Sequence, residues 1–147
     1  MSDLTAFHAD IKSILDQARG KARSAVNAAM VEAYWLIGQR IVEEEQQGQF
    51  KAGYGKRLIE DLAKALTADF GKGFSYANLY NCRQFFQTFP VRENLYTLCR
   101  ELSWSHLRLI MRADSPKAIE YYCSEAREQN WTVRQLERSI KSRSFQR

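Results

Sequence analysis

Three helix starts of one design lie in the second half of this 147-residue chain, and they constrain its fold more than any other feature. In FSYANL, LSWSHL and WTVRQL a hydroxyl residue (Ser75, Ser103 or Thr132) stands where its side chain can accept a hydrogen bond from a first-turn N–H. An apolar residue precedes each, and leucine takes the fourth helical position. The pairs Phe74–Leu79, Leu102–Leu107 and Trp131–Leu136 therefore match hydrophobic staples, and Thr132 with Gln135 has the spacing of a capping box. Asp114-Ser115-Pro116 is a fourth start, with proline in the first turn, where its missing N–H costs little.

The first half is periodic as well. Leu4, Phe7, Ile11, Ile14 and Ala18 keep the three-four spacing of an amphipathic helix begun by Asp3, and Gly20 predicts a break or a mild kink. A second stretch turns Val26, Met30, Ala33, Ile37 and Ile41 inward and ends at Glu43-Glu44-Glu45 and the loop GQFKAGYG. Acids at a helix C-terminus oppose the macrodipole, which calls for either fraying or a cationic neighbor. A further helix is predicted from Lys56 to Phe70, with Leu58, Leu62, Ala65, Leu66 and Ala68 inward and Gly71 and Gly73 stopping it. Val91 to Cys99 is the one stretch read as a short strand pair or wing. Seven glycines and two prolines argue against a loop-rich β-sandwich. The expectation is an all-α compact bundle of about six or seven helices, a single domain over residues 1–147.

Several function classes fall away. No apolar run spans a bilayer, and the N-terminus carries acids where a signal peptide needs basic residues, so a cytoplasmic chain with no membrane partner is expected. Cys82, Cys99 and Cys123 are odd in number and lack a CxxC pair, and they read as reduced, mostly buried small hydrophobes. His8 and His106 are far apart and without metal-ligand spacing, and a capped helix start beside Trp104 accounts for His106. Gly53-Tyr54-Gly55-Lys56 lacks the spacing of a phosphate loop and reads as a turn that begins a helix. No motif supports catalysis by this chain alone, and no metal or cofactor is expected.

A binding surface has more support. Residues 1–50 hold five basic and seven acidic side chains, whereas the remainder holds seventeen basic and ten acidic, a balance that suits an anionic partner. A helix from Ser75 to about Phe89 puts Leu79, Cys82, Phe86 and Phe89 on its core side. Its other side presents Tyr76, Tyr80, Arg83, Gln84 and Gln87, with Asn78 and Asn81 alongside. Amides and guanidinium can pair with base edges there, and tyrosines can stack or meet phosphate. With the preceding helix and the turn Gly71-Lys72-Gly73, this segment has helix-turn-helix-like spacing, Lys72 lying near a phosphate path. Arg134, Arg138 and Lys141 form a basic stripe on the last helix, extended by Arg143 and Arg147. For both surfaces the alternative is structural: tyrosines packed on another helix, and cations solvated near a helix C-terminus.

YWLIGQRIVEEEQ, GYGKRLIEDLAKALTADFGKGFSYANLYNCRQFF, LSWSHLRLIMR and WTVRQLERSI, in that order, resemble the N-terminal domain of YhcG-type proteins over roughly residues 10–142. Where that family has methionine and tyrosine in an NLxxMRQFY stretch, this chain has Cys82 and Phe86, which keeps the positions apolar. The resemblance implies a helical module that precedes a PD-(D/E)xK-type nuclease domain, with the catalytic carboxylates and lysine outside this sequence. The expected function is a non-catalytic module that binds DNA through Lys72, Tyr76, Asn78, Tyr80, Arg83, Gln84, Arg134 and Arg138. The competing expectation is an interaction protein whose N-terminal helices, with Leu4, Phe7, Ile11 and Ile14 on one face, pair with another copy as a homo-oligomer or with a partner subunit, without direct DNA contact.

Overall fold

A computed structural model describes residues 5–48, 53–142 and 144–146. The expectations for Leu4, Arg143 and Arg147, and for the side chains of Phe7 and Cys99, lie outside the described residues. Seven α-helices follow one another among the described residues, in the order α1 (Thr5–Gln47), α2 (Tyr54–Phe70), α3 (Tyr76–Thr88), α4 (Arg92–Glu101), α5 (Trp104–Ile110), α6 (Pro116–Glu128) and α7 (Val133–Lys141). A 3-10 turn covers Ser144–Gln146, and no described residue lies in a strand.

The predicted caps form. Ser75, Ser103, Ser115 and Thr132 accept from the N–H groups of Asn78, His106, Ala118 and Gln135. Thr132 and Gln135 close a capping box, and Ser103 closes a second one with His106. In that second box the imidazole Nδ1 accepts from the Ser103 N–H at 3.2 Å, so Nε2 carries the proton and donates to the Trp131 carbonyl at 2.8 Å. His106 is thus a structural link between α5 and the start of α7. Gly53-Tyr54-Gly55-Lys56 begins α2, as expected.

Two expectations change. Of the break or mild kink expected at Gly20 there is no break, and α1 runs continuously through it for 43 residues. A mid-helix glycine costs only about 1 kcal/mol relative to alanine, and its neighbors Ala18, Arg19, Lys21, Ala22 and Arg23 are strong helix formers. The proposed wing is instead α4, because helical winding carries Leu95 into the main core while Pro90 marks the entry. Val91, Tyr96 and Thr97 gave the strand-like appearance, and burial of Leu95 overrides that local preference.

The main core gathers Val31 and Trp35 of α1, Phe85 of α3, Leu95, Leu107, Ile110 and the inner faces of α6 and α7. A smaller core joins Ile41 of α1, Ile59 of α2 and Leu79 of α3. The choice of inward residues shifts accordingly. On α1 Val31 and Trp35 are buried while Val26 and Met30 are exposed. On α2 Ile59 is buried while Ala65 and Ala68 are exposed. On α3 Phe85 is the fully buried phenylalanine and Phe86 and Phe89 are half-buried. The Trp35 indole N–H reaches the Phe89 carbonyl at 2.8 Å, satisfying a buried donor and fixing the end of α3 to α1.

α1 and α3 touch backbone to backbone. A Cβ placed on Gly38 falls 2.0 Å from the Cys82 carbonyl oxygen, so only glycine allows this approach. Gly38→Ala should therefore cost about 2 kcal/mol or more through forced separation of the two helices, read as a lowered urea midpoint. Burial pushes the thiols of Cys82 and Cys123 up to about 12. Both should resist iodoacetamide in the native protein at pH 8 and react once urea unfolds it, as mapped by peptide mass spectrometry.

Candidate nucleic-acid interface

The connection from α2 to α3 is short and built by glycines. Gly71 and Gly73 adopt φ of 77° and 110°, which turns the chain and leaves Lys72 exposed between them. Asn78 holds this turn in place. Its side-chain amide donates to the Gly73 carbonyl at 2.7 Å, and its carbonyl oxygen accepts from the Trp104 indole at 2.7 Å. Both ends of the Asn78 side chain are thereby engaged within the protein.

Along α3 the predicted face divides in two. Tyr76 and Tyr80 are exposed, and their rings lie nearly parallel, 18° apart in plane with centroids separated by 6.5 Å. The Arg83 guanidinium lies 5.9 Å from the Tyr80 ring center, within cation–π range. That same guanidinium is clasped by Glu45 at the end of α1, with Nε–Oε1 at 2.5 Å and Nη2–Oε2 at 2.9 Å, and it also donates to Gln87 at 3.2 Å. The hydrogen bond to Glu45 raises the pKa of Arg83 above its usual value. This bidentate pair is half-buried, which makes it stronger than an open surface pair. Gln84 turns toward α5, donating to the Met111 carbonyl at 3.4 Å.

The acidic run at the end of α1 thus has its cationic neighbors, Arg83 for Glu45 and Arg40 for Glu44. The local sequence signaled that a cation was required there. It carried no sign that a residue 38 positions away would supply it.

Arg134 and Arg138 are exposed on α7, and among the described residues neither they nor Lys72 joins an ion pair, whereas Lys141 pairs with Glu137 at 3.0 Å. The first turn of α5 relates α7 to α3. Trp104 bonds to Asn78 of α3, and two residues on, His106 bonds to Trp131 at the entry to α7. The first turns of α3 and α7 therefore flank that of α5. Lys72 lies in the turn before α3 and Tyr76 in its first turn, while Arg134 lies in the first turn of α7 and Arg138 one turn further along. No group of three or more His, Cys, Asp or Glu among the described residues is arranged to hold a metal, and no described helix is long and apolar enough to cross a membrane.

Comparison with known proteins places these observations. The chain is 31% identical over 170 aligned residues to a protein of Escherichia coli strain K12 named "Putative nuclease YhcG". That alignment covers 96% of this chain, which spans 45% of the relative's length. No solved structure matches the chain. The family described as DUF1016 N-terminal domain matches residues 10–147, which take in α1 from Asp10 onward and all of α2 to α7, and the chain belongs to the DUF1016 N-terminal domain family.

Proposed function

We propose that this chain is the nucleic-acid-binding or targeting module of a nuclease-type protein and carries no catalytic center itself. The observation that carries the reading is the exposed, nearly parallel pair Tyr76–Tyr80, flanked by Lys72 on one side and by the guanidinium of Arg83 on the other. Two accessible aromatic faces beside an exposed lysine and an arginine held in place by Glu45 suit bases and phosphates together. In this reading α2, its glycine turn and α3 act as a helix-turn-helix-like unit. Lys72, Tyr76 and Tyr80 touch DNA, and Arg134 and Arg138 add phosphate contacts. Asn78, Arg83 and Gln84, with their hydrogen bonds directed inside the protein, set the shape and charge of the face.

The basic balance after residue 50 supports the same partner, since exposed cations that displace condensed counterions give salt-sensitive binding. The similarity to a protein named as a nuclease supplies a context in which such a module has a use.

Fluorescence anisotropy with labeled single-stranded and duplex DNA at two salt concentrations tests the proposal. Binding is expected at low salt and should weaken steeply as salt rises. Tyr76→Ala with Tyr80→Ala should weaken it roughly tenfold or more, the loss of about 1–3 kcal/mol per stacked base. Arg134→Ala with Arg138→Ala should lower the salt slope by about 2. Absence of binding at low salt, or affinity unchanged in both pairs of variants, overturns the reading.

A further inference from the structure

The first half of α1 stands apart from the bundle. From His8 to Val26 the described side chains are exposed, and contact with the rest of the protein begins near Asn27, which donates to the Leu102 carbonyl at 3.3 Å. At 1.5 Å per residue this arm is roughly 28 Å long. It carries Ile14 at 61%, Leu15 at 54% and Val26 at 63% exposure, an apolar load that a lone helix in water does not support.

A groove lies further along the same helix. Between α1 and α2 a cavity of about 490 Å³ is walled by Ile37, Ile41, Leu58, Leu62, Leu66 and Phe70, with Arg40 and Glu44 as its polar residues. Helical winding of about 100° per residue connects the two features. Leu15, Ala22, Val26 and Ile37 share one face of α1, with Met30 and Ile41 at its edge, so a mainly apolar strip, interrupted by Arg19, runs from the arm into the groove over roughly 39 Å.

We infer that a second copy of this chain covers this strip, the two α1 helices running antiparallel about a two-fold axis at the level of Ala28, so that the arm of each copy lies in the α1–α2 groove of the other. The sequence is self-complementary in that register. Val26 falls opposite Met30 of the second copy, and Leu15 falls level with the groove at Ile41, whose own side chain is buried in the smaller core. Lys12 falls opposite Glu44, and Asp16 opposite Arg40, each opposite-charge pair occurring twice by symmetry. Arg40 and Glu44, the polar groups of the groove, pair with each other at 3.0 Å within one copy, and the incoming arm adds a further opposite charge beside each. A parallel pairing loses this match. It leaves the groove unfilled and sets Arg19 and Arg23 beside their own copies.

Sedimentation velocity of the full chain over a wide concentration range is the test. The native chain should reach a species of twice 17.1 kDa. Leu15→Glu with Val26→Glu should return it to the monomer with an unchanged helical circular-dichroism signal, since both positions are solvent-exposed in a single copy. Lys12→Glu and Glu44→Lys, tested separately, should each weaken self-association roughly tenfold by placing like charges opposite each other. Mixing those two variants should restore association, because the mixed pair regains both opposite-charge contacts. A native chain that stays monomeric throughout, an assembly unaffected by the two glutamates, or a mixture that associates no better than its components overturns the inference.

Discussion

The bundle depends on one close approach. Gly38 lets α1 settle onto the backbone of α3 at Cys82, and every other contact between these helices is set by that separation. With the backbones this near, Trp35 reaches the carbonyl of Phe89, Phe86 meets the Trp35 ring edge-on, and Glu45 reaches Arg83. These three contacts lie on both sides of Gly38 along α1. A separation wider by a methyl group would disturb all of them, although the side chains themselves would be unchanged.

The short central helix has a different role. α5 has only seven residues, yet its first turn offers an indole to α3 and an imidazole to the entry of α7. Polar bonds of this kind fix direction where apolar packing alone tolerates sliding. These two bonds tie the start of α3, which carries the exposed Tyr76 and Tyr80, to the entry of α7, which carries the exposed Arg134 and Arg138.

Local chemistry was readable from the chain, and tertiary partnership was not. Every hydroxyl cap is visible as a short pattern because the donor and acceptor are three residues apart. The glycine turn at Gly71 and Gly73 is equally local. By contrast, periodicity alone placed Val26 and Met30 inside, although the helix does not meet the bundle until about Asn27. An amphipathic face records that something covers it, and the covering need not come from the same chain. The region after Val91 misled for a related reason, since one buried leucine outweighs several residues with a preference for strands. On α3, sequence spacing put Tyr76, Asn78, Tyr80, Arg83 and Gln84 together. Which of them are tied inward depended on Trp104, Glu45 and Met111, all remote in the chain.

The uninterrupted length of α1 bears on how the protein comes apart. The same rod contributes Ile41 to the smaller core and Val31 with Trp35 to the larger one, within three turns of each other. A local opening that frees α2 from Ile41 removes support from the very turns that anchor Trp35. The two cores are therefore mechanically coupled through a shared axle, and they are expected to melt as one cooperative unit instead of as separate foldons.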